Sequence, residues 1–273
     1  MEIFFLTSFI VLFISIPIAY RYIRLGQFWW FSKNKMILVN NSNYYTAEKF
    51  RVIQVLLGSV LFFIHGVIFW GLFNIIMFFC ITVIISFFAE IIGSKTGYFF
   101  GGKYQYNIDN VPGYVFHGVP LLIPIAWFGI IYTGMNFCYL ITGIQFPFDT
   151  FTNNYFYIIL SSFLVMLLDT ILDPIAVDEK RWRWDNPGMY YGVPILNFLG
   201  WFAVSIIILI LFLHFSKPEY ISNSFLFLFQ YFPGFLFMLL PAIASRPCFE
   251  RDLRFPGYFG MFLSIIYFIL YFL

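Results

Sequence analysis

The sequence predicts an all-α, polytopic integral membrane protein. Three observations support this class: a low content of charged residues, apolar runs of membrane-spanning length, and a one-sided distribution of Lys and Arg. Of the 273 residues, 62% are hydrophobic and 10% are charged, whereas soluble domains carry roughly 25% charged residues. The mean hydropathy is +0.87. A chain with so much apolar surface cannot hide it from water, so it is expected to lie in a membrane.

The apolar runs divide into about eight predicted transmembrane helices, since one helix needs about 20 apolar residues to cross the bilayer. The predicted spans are 3–20, 51–70, 72–92, 119–142, 155–177, 193–215, 222–244 and 257–272. The second and third runs are continuous, and we divide them at Gly71 because their combined length is that of two spans. The first run lacks a basic N-terminal region and a cleavage site, so we expect a retained helix rather than a signal peptide.

The basic residues predict the orientation of the chain. Fourteen Lys and Arg lie in the first, third, fifth and seventh connections, and only Lys217 lies in the others. Cytoplasmic loops carry the excess of Lys and Arg. We therefore predict a multi-pass protein of the cell membrane, with the odd-numbered connections in the cytoplasm and both termini on the outer side of the membrane. The net charge of +2 indicates no basic face for nucleic acid. Membrane lipids are the expected surroundings.

A short motif occurs twice in the middle of the chain. The tripeptide Gly-Val-Pro begins at Gly118 and at Gly192, and a tryptophan, Trp127 or Trp201, follows nine residues after each glycine. Pro and Gly also recur at helix entrances for local reasons, which would explain the motif without a repeat. If the repeat is structural, spans 3–4 and 5–6 form two parallel halves around a shared site. We predict a single transmembrane domain, 1–273, with a motif-bearing core at about 86–201.

Acidic residues inside apolar spans are the first candidates for catalysis, because they are costly there. Asp169 and Asp173 lie four residues apart and so share one helical face. Their repulsion and desolvation oppose ionisation of both, and a protonated acid beside a carboxylate is an arrangement used in acid–base chemistry. Glu90 is predicted at the same depth in span 3. A salt bridge from the aspartates to Arg181 or Arg183 would be the structural alternative.

Polar and aromatic residues cluster in the same segments as these acids. Aromatic faces attract cations, so an apolar pocket lined by rings and holding a protonated carboxyl group could generate and shelter a carbocation. An interfacial aromatic belt is the alternative explanation. The candidate substrate-binding residues are Asn197, Trp201, Tyr191, Tyr190, Trp184, Tyr106, Tyr104 and Trp127. We expect a solvated charge cluster formed by Asp178, Glu179 and Asp185 with Lys180, Arg181 and Arg183.

Several catalytic motifs are absent from the sequence. The three histidines are scattered, and there is no HExxH, phosphate-binding loop or GxSxG. His65, in the middle of span 2, is expected to be an interhelical hydrogen-bond partner. The three cysteines form no CxxC and are expected to be packing residues. We therefore expect chemistry without a redox cofactor or a bound metal.

Four segments, at 89–106, 118–127, 167–177 and 181–201, resemble the membrane carotenoid-biosynthesis family that includes carotenoid 1,2-hydratases and bisanhydrobacterioruberin hydratase. The first two and last two spans match only in hydrophobic character. The resemblance implies a hydro-lyase that adds water across the terminal double bond of an acyclic carotenoid, giving a tertiary alcohol. It also implies a carotenoid or other polyisoprenoid substrate, and other membrane enzymes of the carotenoid pathway as candidate partners.

Applied to this chain, the resemblance implies that Asp169 or Asp173 protonates the alkene. The other aspartate, or Glu90, would hold the attacking water, with Asn197 and Tyr191 positioning it. Two alternatives remain open. A carotenoid or isoprenoid cyclase would use the same protonation and quench the cation internally. A proton-coupled transporter or lipid-binding protein would use the acids as a proton relay, although such a relay should reach both faces of the membrane.

Overall fold

Eight helices account for most of the structure. The computed structural model describes residues 2–25, 44–111, 113–144, 151–217 and 227–273. The helices in these ranges are α1 (Glu2–Leu25), α2 (Tyr44–Trp70), α3 (Leu72–Thr96), α4 (Leu122–Thr142), α5 (Phe151–Asp178), α6 (Ile195–Phe215), α7 (Phe227–Glu250) and α8 (Arg254–Phe272). Among the described residues, seven helices, α2 to α8, are long and apolar enough to cross a membrane, and α1 contributes a shorter apolar stretch, Glu2–Ser15. The prediction of a polytopic, all-α membrane protein is confirmed.

The division of the long apolar run at Gly71 is confirmed. Gly71 has φ 79° and ψ 157°, a conformation that glycine adopts without steric penalty, and it separates α2 from α3. Asn74 then secures this end of the bundle. Its side-chain amide donates to the carbonyl oxygens of Trp70, at 2.7 Å, and of Lys217, at 2.8 Å. The second and sixth connections therefore lie at the same end of the molecule.

Helix α4 lies at the centre of the bundle, where it packs against α2, α3, α5 and α7. Its buried face carries several aromatic rings, among them Phe128 and Tyr132. His65 of α2 lies among these rings, with Nδ1 2.6 Å from the Tyr132 hydroxyl and Nε2 3.2 Å from the Phe229 carbonyl oxygen. It therefore joins α2 to α4 and α7, as expected for an interhelical hydrogen-bond partner.

Two connections that the sequence indicated as loops contain short strands. The α3–α4 connection holds β1 (Tyr104–Tyr106), β2 (Val115–Phe116) and β3 (Val119–Pro120), and the α5–α6 connection holds β4 (Trp182–Trp184). β2 and β3 form a hairpin. β1 pairs antiparallel with β4, so that Tyr104 faces Trp184 and Tyr106 faces Trp182. Strands of two or three residues are too short to show the alternation that predicts a strand.

The β1–β4 pairing brings the two motif-bearing segments together. β1 follows α3 and β4 follows α5, so the pair joins the two halves suggested by the Gly-Val-Pro motif. Trp127 and Trp201 also meet, with ring centroids 3.6 Å apart and an interplanar angle of 6°. These contacts place both tryptophans of the motif in one stacked pair. The structural equivalence of the two halves stays a prediction.

One testable consequence concerns the contact between α6 and the turn after α3. A Cβ atom on Gly200 would lie 2.1 Å from the backbone oxygen of Phe99, so Gly200→Ala must push the turn away from α6. We expect a loss of about 1–3 kcal/mol, as for other overpacked sites, and a lower melting temperature in detergent. The matched control is Gly129→Ala, whose Cβ would meet the Phe62 ring at an ordinary 3.6 Å. Equal melting temperatures for the two variants would contradict the close approach.

Candidate active site

A cavity of about 500 Å³ lies between α2, α3, α4, α5, α6 and α7. It is closed on one side by β1 and β4, and its lining is mostly apolar. The three predicted acids and six of the eight predicted binding residues line it: Glu90, Asp169, Asp173, Asn197, Trp201, Trp184, Tyr106, Tyr104 and Trp127. The fold therefore brings together predicted site residues that are up to 111 positions apart, from Glu90 to Trp201.

Asp169 and Asp173 are held together by Asn197. Both aspartates lie on the inner face of α5, one turn apart, and Asn197 lies in the first turn of α6. The Asn197 amide donates to Oδ2 of Asp169 at 3.0 Å and to Oδ2 of Asp173 at 2.6 Å. All three side chains are buried. The pair is thus bridged by a neutral amide rather than by Arg181, which binds other acids.

Glu90 is surrounded by hydrogen-bond donors. Trp127 Nε1 donates to Oε1 at 3.0 Å, and the hydroxyl groups of Tyr106, at 2.8 Å, and Tyr104 donate to Oε2. Burial, reinforced by the charge of Glu90, raises the pKa of both tyrosine hydroxyls well above the usual value. Both tyrosines therefore stay protonated at neutral pH and keep the hydrogen that they donate to Glu90.

Aromatic rings form the wall next to these acids. The Trp127–Trp201 stack lies on one side, and the rings that project from β1 and β4 lie on another. Tyr104 packs against Trp184 at 5.5 Å between ring centroids, and Trp184 Nε1 donates to the Phe100 carbonyl oxygen at 2.9 Å. The indole N–H groups of Trp127 and Trp184 both donate hydrogen bonds. These bonds hold the two rings in their packing contacts with Trp201 and Tyr104.

Two predicted binding residues do not line the cavity. Tyr190 donates its hydroxyl hydrogen to the Thr170 carbonyl oxygen at 3.0 Å, and the Tyr191 hydroxyl accepts from the Phe255 amide at 3.3 Å. Tyr190 and Val193 form an isolated bridge, and this tight turn directs the two tyrosines toward α5 and α8. They attach the α5–α6 connection to the bundle.

An ion cluster lies at the mouth of the cavity, and it was not foreseen in the sequence. This mouth cluster consists of Glu48, Arg51, Glu179, Arg181 and Arg251, all of which line the cavity. Arg181 binds Glu48 at 3.1 Å, Arg51 lies 3.4 Å from Glu179, and Arg251 also binds Glu179. The expectation of a solvated charge cluster is wrong for Glu179, which is only 7% exposed. The reason is that α2 and α7, distant in sequence, enclose it.

The mouth cluster also tests the grouping of the connections. It joins the beginning of α2, the end of α5 and the end of α7, and so it brings the first, fifth and seventh connections to one end of the molecule. This agrees with the grouping that the basic residues predict.

Within the described ranges, no group of three His, Cys, Asp or Glu side chains is placed to hold a metal ion.

Comparison with known proteins identifies the family. A sequence model described as "Carotenoid biosynthesis protein" matches residues 50–246, which is most of the chain. The chain belongs to this carotenoid biosynthesis family. The matched range contains Glu90, Asp169, Asp173, Asn197 and all the aromatic residues that line the cavity. The family resemblance is therefore confirmed over the site.

One characterised relative is similar to part of the chain. Bisanhydrobacterioruberin hydratase from Haloarcula japonica is 30% identical over 128 residues. This similarity covers 46% of the chain described here and 41% of the relative, so the chain spans less than half of that protein's length. No solved structure matches the chain.

The mouth cluster yields a prediction about stability. Glu179 is paired with Arg181 as well as with Arg51 and Arg251, so Glu179→Gln leaves these cations with less compensating charge. Loss of one partner from a buried ion pair costs roughly 3–5 kcal/mol, and we expect a markedly lower melting temperature in detergent. The control is Glu250→Gln, which weakens a contact with Arg246 one turn away on the same helix and should cost only about 0.3–0.5 kcal/mol. A Glu179→Gln variant as stable as the control would show that the cluster contributes little.

Proposed function

We propose that this protein is a carotenoid hydratase, which adds water to the terminal double bond of an acyclic carotenoid end group. The observation that carries the proposal is an apolar cavity inside a membrane protein in which three buried carboxyl groups lie beside stacked aromatic rings. Membership of a carotenoid biosynthesis family supports a carotenoid substrate, and the similarity to a hydratase supports water as the second reactant.

The reaction needs a proton donor, because a trisubstituted alkene is a weak base. The aspartate pair suits this step. Asn197 offers its amide to both carboxyl groups, and one neutral amide cannot stabilise two adjacent charges in an apolar site. We therefore assign one shared proton to the pair of Asp169 and Asp173. A carboxyl group that keeps its proton at neutral pH can act as a general acid.

In the first step, the protonated aspartate transfers its proton to the terminal alkene. A C–H bond forms from the electron pair of the double bond, and a tertiary carbocation remains at the adjacent carbon. The faces of Trp127 and Trp201 can stabilise this cation. Glu90 accepts three hydrogen bonds from donors, which is the environment of an ionised carboxylate, and its negative charge would further stabilise the cation.

In the second step, water attacks the cation and forms a C–O bond. The extra proton of the water passes to the aspartate pair, which restores the acid. The sum of both steps is alkene plus water to tertiary alcohol, with no change of redox state and no consumed cofactor. Tyr191 does not reach the cavity, so we assign the positioning of water to Asn197 and the two aspartates.

We place the protein in the cell membrane with the odd-numbered connections on the cytoplasmic side. The distribution of Lys and Arg supports this orientation, and the mouth cluster would then face the cytoplasm. Water would reach the acids from that side. Other membrane enzymes of carotenoid biosynthesis would deliver the hydrocarbon substrate and use the alcohol.

The proposal predicts a product heavier than its substrate by one water. The wild-type chain would be expressed in cells supplied with lycopene or bisanhydrobacterioruberin, and the extracted pigments compared by mass. Asp173→Asn and Asp169→Asn should each lower the yield by about 10²–10⁴-fold, the usual contribution of a general acid or base. Asp185→Asn, which changes an exposed loop acid, is the matched control and should behave like the wild type.

Other outcomes of this experiment identify the alternatives. A product that is an isomer of the substrate, with unchanged mass, would indicate a cyclase instead of a hydratase. Unaltered pigment that purifies with the wild-type protein would instead favour a transporter or lipid-binding protein. In either case the proposal of hydration would be wrong.

A second prediction concerns the ring beside the cation. Trp201→Leu keeps an apolar side chain and removes the aromatic face, whereas Trp201→Phe keeps a face. A desolvated cation–π contact contributes about 2 kcal/mol, so we expect turnover of the Leu variant to fall by roughly ten- to thirtyfold. The Phe variant should retain most of the activity, with similar KM values for both. Equal turnover of the two variants would show that Trp201 contributes packing and does not stabilise the cation.

A further inference from the structure

The lining of the cavity has two unlike sides. At the end of the bundle it is bounded by the mouth cluster, whose arginines and glutamates are paired with one another. Deeper along the helices, its lining between α2 and α7 is apolar, with Val52 and Val55 from α2 and Leu240 and Ile243 from α7. We call this apolar side the lateral portal.

The lateral portal lies at the depth of the acids. Ile243 lies seven residues before the end of α7 at Glu250, and Glu90 lies six residues before the end of α3 at Thr96. Both are therefore about 10 Å from the same end of the bundle. Ile243 lines the cavity, yet 43% of its surface is exposed. We take this exposed surface to face the lipid, so that the side chain borders both the cavity and the outer surface.

In the described part of the chain, α2 and α7 are not packed closely against each other along the portal. α2 packs against α1, α3 and α4, and α7 packs against α8, α4, α5 and, less extensively, α1. The ring contacts between α1 and α7 lie in the first turns of α7, more than two turns before the part of α7 that lines the portal. No extensive contact joins α2 to α7, and no residue of α1 that the structure describes lines the cavity. The mouth cluster joins the beginning of α2 to the end of α7 through Arg51, Glu179 and Arg251.

The size of the cavity limits how much of a substrate it can hold. A volume of about 500 Å³ is typical of sites that enclose a drug-sized molecule, roughly 300–1,000 Å³. A carotenoid is long, and its conjugated double bonds keep it stiff, so it cannot coil into such a space. Most of its length must therefore leave the cavity through an opening. The mouth cluster is unsuited to an apolar chain, because separating its ion pairs would leave buried charges uncompensated.

We propose that the polyene enters sideways from the bilayer through the lateral portal, and that only its end group reaches the acids. The rest of the chain stays in lipid between α2 and α7, while water arrives past the mouth cluster. This inference rests on the proposed function for the identity of the apolar chain. It implies that the site recognises the end group and not the length of the polyene. It also implies that a symmetrical carotenoid must leave and re-enter before its second end reacts, so that a singly hydrated product appears first.

The test narrows the lateral portal without changing the acids. Ile243→Trp and Val55→Trp would be compared with Leu239→Trp and Leu57→Trp, which change exposed residues on the same helices that do not line the cavity. The purified full-length proteins, in lipid vesicles, would receive either lycopene or geraniol. Geraniol has the same dimethyl-alkene end group and is short enough to leave no chain in the portal.

We expect the two portal variants to hydrate lycopene roughly tenfold more slowly, the effect of one misfitting group in an apolar pocket, and geraniol at the rate of the wild type. The two control variants should match the wild type on both substrates, and Ile243→Ala should leave lycopene hydration intact. An equal loss on lycopene and geraniol would overturn the portal, since the substitutions would then disturb the site itself. Unchanged lycopene hydration in both portal variants would overturn it as well.

A failure of the proposed function can be distinguished from a failure of the portal. If the wild type hydrates neither substrate, the hydratase proposal is wrong. The portal is then judged by the coloured polyene that purifies with the protein after incubation with lycopene-containing vesicles. Less pigment in the portal variants than in the Leu239→Trp and Leu57→Trp controls would support lateral entry, and equal pigment in all of them would refute it.

Discussion

The structure depends on one constraint: three carboxyl groups buried at membrane depth need hydrogen-bond donors from the protein itself, because lipid offers none. Glu90 obtains its donors from β1 and α4, through two tyrosines and Trp127. The aspartates obtain theirs from Asn197 at the beginning of α6. Elements that are distant in sequence must therefore meet at one place, and the cavity is the space that remains between them.

The same requirement explains the short strands outside the helices. The pairing of β1 with β4 holds Tyr104 and Tyr106 where they reach Glu90, and it lays Trp182 and Trp184 against them. A flexible loop would leave these aromatic side chains free to turn toward the membrane interface, where such rings are commonly found. Here they form a wall of the cavity. Local backbone pairing thus converts an aromatic loop into part of a preorganised site.

The mouth cluster and the lateral portal give one cavity a polar side and an apolar side. Paired charges at the end of the bundle make a polar boundary. Apolar side chains between α2 and α7 make a boundary compatible with lipid. The proposed hydration of a membrane hydrocarbon requires both reactants to meet at one acid, and a cavity with one polar and one apolar side meets this requirement.

The sequence alone determined the class of the protein, the positions of the helices, the break at Gly71 and the common depth of Glu90, Asp169 and Asp173. Hydropathy and helical periodicity depend on neighbouring residues, so they can be recognised along the chain. Only the tertiary structure decided that Asn197 bridges both aspartates, that Glu48 and Arg251 enclose the α5–α6 connection, and that Tyr190 and Tyr191 lie outside the cavity. These outcomes depend on which faces of distant helices meet, and side-chain packing in three dimensions determines that choice.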